Sequence, residues 1–307
     1  MRYTVRHATT YTYTEPVPVC HNQVHLAPRN TPYQIRSSHE LVIEPPPSVR
    51  TKRRDCFGNE VDYFSIQEAH EGLSVTATSV VDVAAPGGRN RRPESPAWED
   101  IAAAIPQNLG SDGLTTYHFT LPSPRVQASA ALGEYASESF PKRRPIYAAV
   151  RELTSRIHAD FQFDAKATTV HTSPEELLEL RRGVCQDFAH LAIGCLRSLG
   201  LAARYVSGYV RTTPPPRAPG SEDNCRGPGR PRLIGADASH AWVSVFCGPL
   251  GWIDFDPTND AAVADWHITI GWGRDYGDVC PIQGVFVGGG EHRMTVGVDV
   301  EPVADKT

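Results

Sequence analysis

Cys185 stands in RRGVCQDFAH, residues 181–190, between Gly183 and an apolar stripe with helical spacing. A cysteine at a helix N-terminus meets unpaired backbone N–H groups and the positive end of the helix dipole, which together favour a nucleophilic thiolate. The same N–H groups can donate to the oxyanion formed when such a thiolate attacks a carbonyl. Gly183 permits a tight approach of the chain to the helix start. The stripe is Phe188, Leu191, Ala192, Cys195 and Leu199, with Gly200 as its stop. That spacing assigns Cys195 to the core and leaves Cys185 at the helix entrance.

A thiol nucleophile needs a base, and the base needs an orienting partner. HAWVSVF (240–246) and WIDFDP (252–257) read as two strands of a hairpin. If Ala241, Val243 and Val245 share a core with Ile253 and Phe255, odd positions pair with odd. His240, Trp242, Ser244, Trp252, Asp254 and Asp256 then share the opposite face. This parity requires a hairpin loop of odd length, or a bulge. Asp256 is favoured over Asp254 as the partner of His240, because Pro257 holds it extended and ends the ladder where the other strand begins. Trp242 and Trp252 are candidates to wall an acyl site, and Gln186 to touch substrate or oxyanion. Asp187 is a candidate helix cap, and its spacing from His190 suits a pair on the helix surface. Arg274, Asp275, Tyr276 and Asp278 in GRDYGDV form a polar cluster that reads as a structural turn rather than a substrate contact.

The elements that must position these residues differ along the chain. Residues 1–86 read as a β-rich domain: YTVRHATTYTYT and GLSVTATSVVDVAAP alternate, and RSSHELVIEPPPSV is a strand stopped by prolines. Residues 87–125 read as a linker or connecting segment, opening with Pro, Gly and Arg. Residues 126–307 form a second domain. It begins with helices, one started near Pro145 and one at Ser173-Pro174 with Glu176 closing a capping box. Strands follow, interrupted by a long Pro- and Gly-rich loop over 211–236 that holds Cys225. GVFVGGGEHRMTVGVDVEPV reads as a closing hairpin, turned at its three glycines.

Composition narrows the chemistry. The 307 residues carry a net charge of −5, with a pI near 6.2, which gives no reason to expect nucleic acid or an anionic membrane as partner. No apolar run approaches the roughly 20 residues of a membrane span. Seven cysteines without a CxxC pair argue against a disulfide framework or zinc ribbon, and twelve histidines without HExxH give little support for a metal. The N-terminus alternates like a strand and lacks an apolar leader, so a reducing cytoplasm is the expected location.

RRGVCQDFAHLAIGCLRSLGLAARYVSGYV, then DASHAW, then WIDFDPTND, resemble the core of bacterial transglutaminase-like proteins of the papain-like cysteine fold. GWGRDYGDVCPIQGVFVGGGEHRMTVGVDV resembles their C-terminal part. YTYTEPV and HNQVHLAPR resemble their β-rich N-terminal region. The resemblance implies an α+β fold: an N-terminal β-sandwich-like domain, then a core of helices packed on an antiparallel sheet. It implies a triad of Cys185 as nucleophile, His240 as base and Asp256 as orienting acid, with no cofactor and no metal. The implied activity is acyl transfer at amide carbonyls of a protein or peptide through a thioacyl enzyme, with a primary amine as acceptor. The alternative is a peptidase or amidase with water as acceptor. A further alternative is a binding or scaffolding protein without turnover.

Overall fold

The computed structural model describes residues 1–85, 94–108, 110–211 and 238–303. Six strands come first: β1 (Arg2–Val17), β2 (Val19–Val24), β3 (Gln34–Glu44), β4 (Val49–Arg54), β5 (Glu60–Ile66) and β6 (His70–Val83). The middle of the chain holds α1 (Trp98–Ala104), α2 (Ser111–His118), α3 (Ala130–Ser137), α4 (Ile146–Asp160), β7 (Gln162–Phe163), α5 (Pro174–Leu180), β8 (Arg182–Gly183) and α6 (Cys185–Ser198). Then follow β9 (Ala203–Val210), β10 (His240–Phe246), β11 (Trp252–Asp256), β12 (Ala261–Ala262), β13 (His267–Gly273), β14 (Ile282–Val287) and β15 (His292–Pro302). The fold is α+β. The expected 211–236 loop with Cys225, apart from Arg211, and the Arg-rich opening of the expected linker, residues 87–93, lie outside the described residues.

Strict alternation builds the N-terminal sheets: in β6 every second residue from Leu73 to Val83 is buried. Two four-stranded sheets form, ordered β15-β1-β6-β3 and β14-β2-β5-β4. Tyr13, Val24, Leu41, Phe64, Leu73 and Val75 fill the space between them. The last two strands do not form the expected closing hairpin. β14 pairs with β2 and β15 with β1, in different sheets. Gly288, Gly289 and Gly290, with φ of 78°, 83° and 57°, carry the chain across from one sheet to the other.

The stretch expected as connecting segment supplies two helices, and its Ile101, Ile105 and Phe119 join the main core. Arg197 of α6 binds it there, donating to the Phe119 carbonyl at 3.0 Å and to Ser123 Oγ at 3.1 Å. α5 begins with the expected capping box between Ser173 and Glu176. Pro145 is the N-cap of α4 rather than its first residue. α6 ends in a Schellman motif, with Gly200 at φ 77° and the Leu201 N–H on the Leu196 carbonyl at 3.0 Å. It is buried along its whole length from Gln186 to Arg197, beyond the single stripe its sequence suggests, because α3 and α5 flank it as well as the sheet.

That sheet is antiparallel, ordered β12-β11-β10-β9-β13. Ala203, Tyr205, Ala241, Val243, Val245 and Phe255 share a core with α6. Elsewhere the sheet meets the N-terminal strands through Tyr3, Val5, Val81, Tyr209, Ile268 and Ile270. Polar clamps reinforce the contact. Gln34 accepts from the Thr269 N–H at 2.8 Å and donates to the Thr269 carbonyl at 2.7 Å, and Asn59 makes the same two kinds of contact to Trp272. No helix among the described residues is long and apolar enough to cross a membrane.

Candidate active site

Cys185 is the first residue of α6, and Val184 is its N-cap. The backbone N–H groups of a first helical turn have no intrahelical acceptors. The cap is built by Asp187, whose Oδ2 accepts from the Val184 N–H at 2.8 Å and from Thr168 Oγ1 at 2.6 Å. Burial pushes the Asp187 carboxyl up, and these two hydrogen bonds only partly offset it. Gly183 leaves the room that Asp187 uses: a Cβ there would lie 2.7 Å from Asp187 Oδ2 and 2.8 Å from Leu177 Cδ1. The Cys185 side chain is partly exposed, whereas Cys195 is sealed in the core and burial raises its thiol.

The β10–β11 hairpin has the expected parity. Val243 pairs with Phe255, Ser244 with Asp254, Val245 with Ile253 and Phe246 with Trp252. The connection is residues 247–251, an odd count, with Gly248 and Gly251 at positive φ. His240 and Asp256 are therefore diagonal neighbours on one face. Their side chains meet, His240 Nε2 on Asp256 Oδ2 at 2.8 Å, with both fully buried. Gly208 pairs opposite His240, and a Cβ there would lie 2.3 Å from the Trp242 ring.

Asp256 accepts from four further donors. Asn259 Nδ2 reaches Oδ2 at 2.8 Å and His267 Nε2 reaches it at 3.2 Å. The Thr258 and Asn259 N–H groups reach Oδ1 at 2.9 and 3.2 Å. Burial alone would raise this carboxyl, but the His240 charge and the bonds from His240 and His267 hold it well below the usual carboxylate range. Burial alone would likewise lower His240. The Asp256 charge and hydrogen bond, with a smaller contribution from Cys185, instead raise it to about 10. His240 Nδ1 is buried and has no full hydrogen bond among the described residues. With Nε2 on Asp256, Nδ1 is the remaining ring nitrogen, and Cys185 is among the groups that raise the imidazole.

His267 is fixed in the opposite sense. The Ala264 N–H donates to its Nδ1 at 3.2 Å, so its proton sits on Nε2 and points at Asp256. Burial lowers His267, and it acts as a neutral donor.

The other sequence candidates divide. Gln186 is buried beside Cys185. Trp242 backs the histidines, its ring centroid 6.1 Å from His240 and 5.2 Å from His267, and its Nε1 donates to Asp254 at 3.1 Å. This explains Asp254: it holds the tryptophan. Trp252 lies at the other end of the hairpin, packed on Phe119 and Phe246. Asp187 and His190 turn to different partners, His190 Nε2 accepting from the Tyr276 N–H at 3.1 Å. Arg274, Asp275 and Asp278 form a structural turn, with Arg274 paired to Asp278 at 2.9 Å. No sequence pattern points to His267, or to Tyr205, a buried phenol raised by burial and then by the Cys185 charge. Asn259 was visible only as part of DPTND. Among the described residues, one cluster of metal-ligating type occurs, His39, Glu60 and Asp62 on the N-terminal sheets. Arg36, Arg50 and Lys52 already engage its carboxylates.

Residues 3–82 match the bacterial transglutaminase-like N-terminal region, and residues 134–257 match the transglutaminase-like superfamily. An uncharacterized protein of Mycobacterium tuberculosis is 41% identical over 308 residues, covering 98% of this chain and 93% of the relative. One from Mycobacterium leprae is 31% identical over 99% of both chains. A proposed cysteine protease from Cytophaga hutchinsonii has a similar structure, with a TM-score of 0.73 and 22% identity over 100% of this chain and 92% of that one.

Proposed function

The chain belongs to the transglutaminase-like superfamily, with the bacterial transglutaminase-like N-terminal region ahead of its core, and from that premise we propose a cysteine-dependent acyl transfer at amide carbonyls. One observation carries this reading: in the buried His240–Asp256 pair, at 2.8 Å, the imidazole Nδ1 has no full hydrogen bond among the described residues, while Cys185, first in its helix, is among the groups that raise the same imidazole.

Cys185 Sγ attacks the carbonyl carbon of a protein or peptide carboxamide. The C–S bond forms and the carbonyl electrons move onto oxygen, where the Cys185 backbone N–H donates. As the tetrahedral species collapses, the C–N bond breaks and protonated His240 gives its proton to the departing amine. The thioacyl enzyme is then resolved by a primary amine, or by water, with His240 taking the acceptor's proton. Asp256 keeps the imidazole in the orientation that presents Nδ1. The free cysteines of the described residues suit a reducing compartment.

The test supplies a glutamine-containing peptide with and without a primary amine. Ammonia release accompanied by an amide adduct to the amine supports the transferase. Release without an adduct, and unaffected by the amine, assigns water as acceptor. No release, with no acylated Cys185, overturns the proposal.

A further inference from the structure

On the sheet face bearing Trp242, the N-terminal strands leave a cavity of about 660 Å³. Neither Cys185 nor His240 lines it. Its wall includes Tyr33 from the N-terminal region and Arg204, Trp252, Asp254, His267 and Trp272 from the sheet. The volume falls in the range of small-molecule sites, about 300–1,000 Å³.

Arg204 is the unusual group in this wall. Its guanidinium carbon lies 4.3 Å from the Trp252 ring centroid and 3.8 Å from that of Trp272. Arg29 covers the far side of Trp272 at 3.6 Å, so four flat groups form one stack. Arg29 is hydrogen-bonded within the N-terminal region: its Nη1 donates to the Phe57 carbonyl at 2.8 Å and to Asn59 Oδ1 at 2.9 Å. Arg204 is not. Its Nε is sealed from solvent without an acceptor among the described residues. Burial lowers this guanidinium to about 10, so it remains a cation at neutral pH, and Asp254 opposes the lowering through charge alone.

Arg204 is only partly exposed, and an N–H sealed away without an acceptor is unfavourable. The two tryptophans satisfy the faces of the guanidinium and hold it rigid, but its N–H edge is met by neither. A carboxylate is the planar acceptor that matches the two Nη groups, which are not sealed and have no hydrogen-bond partner among the described residues. The tryptophans and Tyr33 provide flat apolar walls beside it, while Asp254 disfavours anions of higher charge. We propose that this cavity is a binding site for a small organic carboxylate with a flat apolar body, held by Arg204 between Trp252 and Trp272.

Intrinsic tryptophan fluorescence reports on the site directly. The full chain is titrated with sodium benzoate at constant ionic strength, with benzyl alcohol as the neutral control. The expected result is a saturable change with benzoate and none with benzyl alcohol. Arg204→Gln is expected to weaken binding at least tenfold, and Asp254→Asn, which keeps an acceptor for Trp242, to strengthen it several-fold. The proposal is overturned by absence of saturation, by equal binding of benzyl alcohol, or by undiminished binding in folded R204Q. If R204Q does not fold, D254N decides: binding unchanged or weakened in that variant overturns the proposal.

Discussion

Five donors converge on Asp256, and this sets what the neighbouring imidazole can do. An acid so well solvated by protein remains charged and holds a proton on His240, whose pKa rises from 6.5 to about 10. Between these values the folded protein keeps a proton that the unfolded chain releases. The resulting stabilisation is fully present below pH 6.5 and is lost as the pH climbs through about 10. Urea melts at pH 7 and pH 10 are expected to show a loss of stability that is smaller in His240→Ala. Asp256→Asn should move the alkaline limb of the kcat/KM profile downward from near 10. His267→Ala strands part of a buried carboxylate and should cost about 1–3 kcal/mol in urea denaturation. The His240–Asp256 pair was legible because both residues belong to local strand patterns. His267 was not, because no short-range periodicity ties it to Asp256. Only the place of β13 in the sheet, through its pairing with β9, brings it there.

At the scale of elements, two short backbone features place the groups of the proposed triad. One is the tight approach at Gly183 that lets Asp187 cap α6. Gly183→Ala would press a Cβ onto the cap, at 2.7 Å from the carboxylate. We expect a lower kcat with KM little changed, and a thermal shift reflecting about 1–3 kcal/mol, typical of overpacking. The other is the loop 247–251, whose odd length sets the hairpin parity. Deleting one residue there should separate His240 from Asp256 and abolish turnover. Parity could be read from sequence because a strand has a side-chain period of two, and a single slip would expose Val243, Val245 and Phe255. The burial of α6 on all sides could not, since its extra neighbours, α3 and α5, are independent chain segments.

At the scale of the whole molecule, early and late strands share the N-terminal sheets. β15 completes the β1 sheet and β14 the β2 sheet, so these late strands belong with the N-terminal ones. Local alternation identifies such strands but carries no information on which distant strand they join, which is why a simple hairpin was the natural expectation for this segment. Gln34 ties the two regions together through Thr269. Gln34→Ala is expected to reduce stability by about 1–3 kcal/mol in urea melts, because it leaves buried backbone groups unpaired. The central claim, that Cys185 carries the acyl group, is tested most directly by mass spectrometry of the enzyme quenched during turnover of a glutamine-containing peptide. The account predicts an acyl mass on the Cys185 peptide, absent from Cys185→Ser, whose turnover falls by more than about 10³-fold. Undiminished turnover in Cys185→Ser, or an acyl group on a different residue, would contradict it.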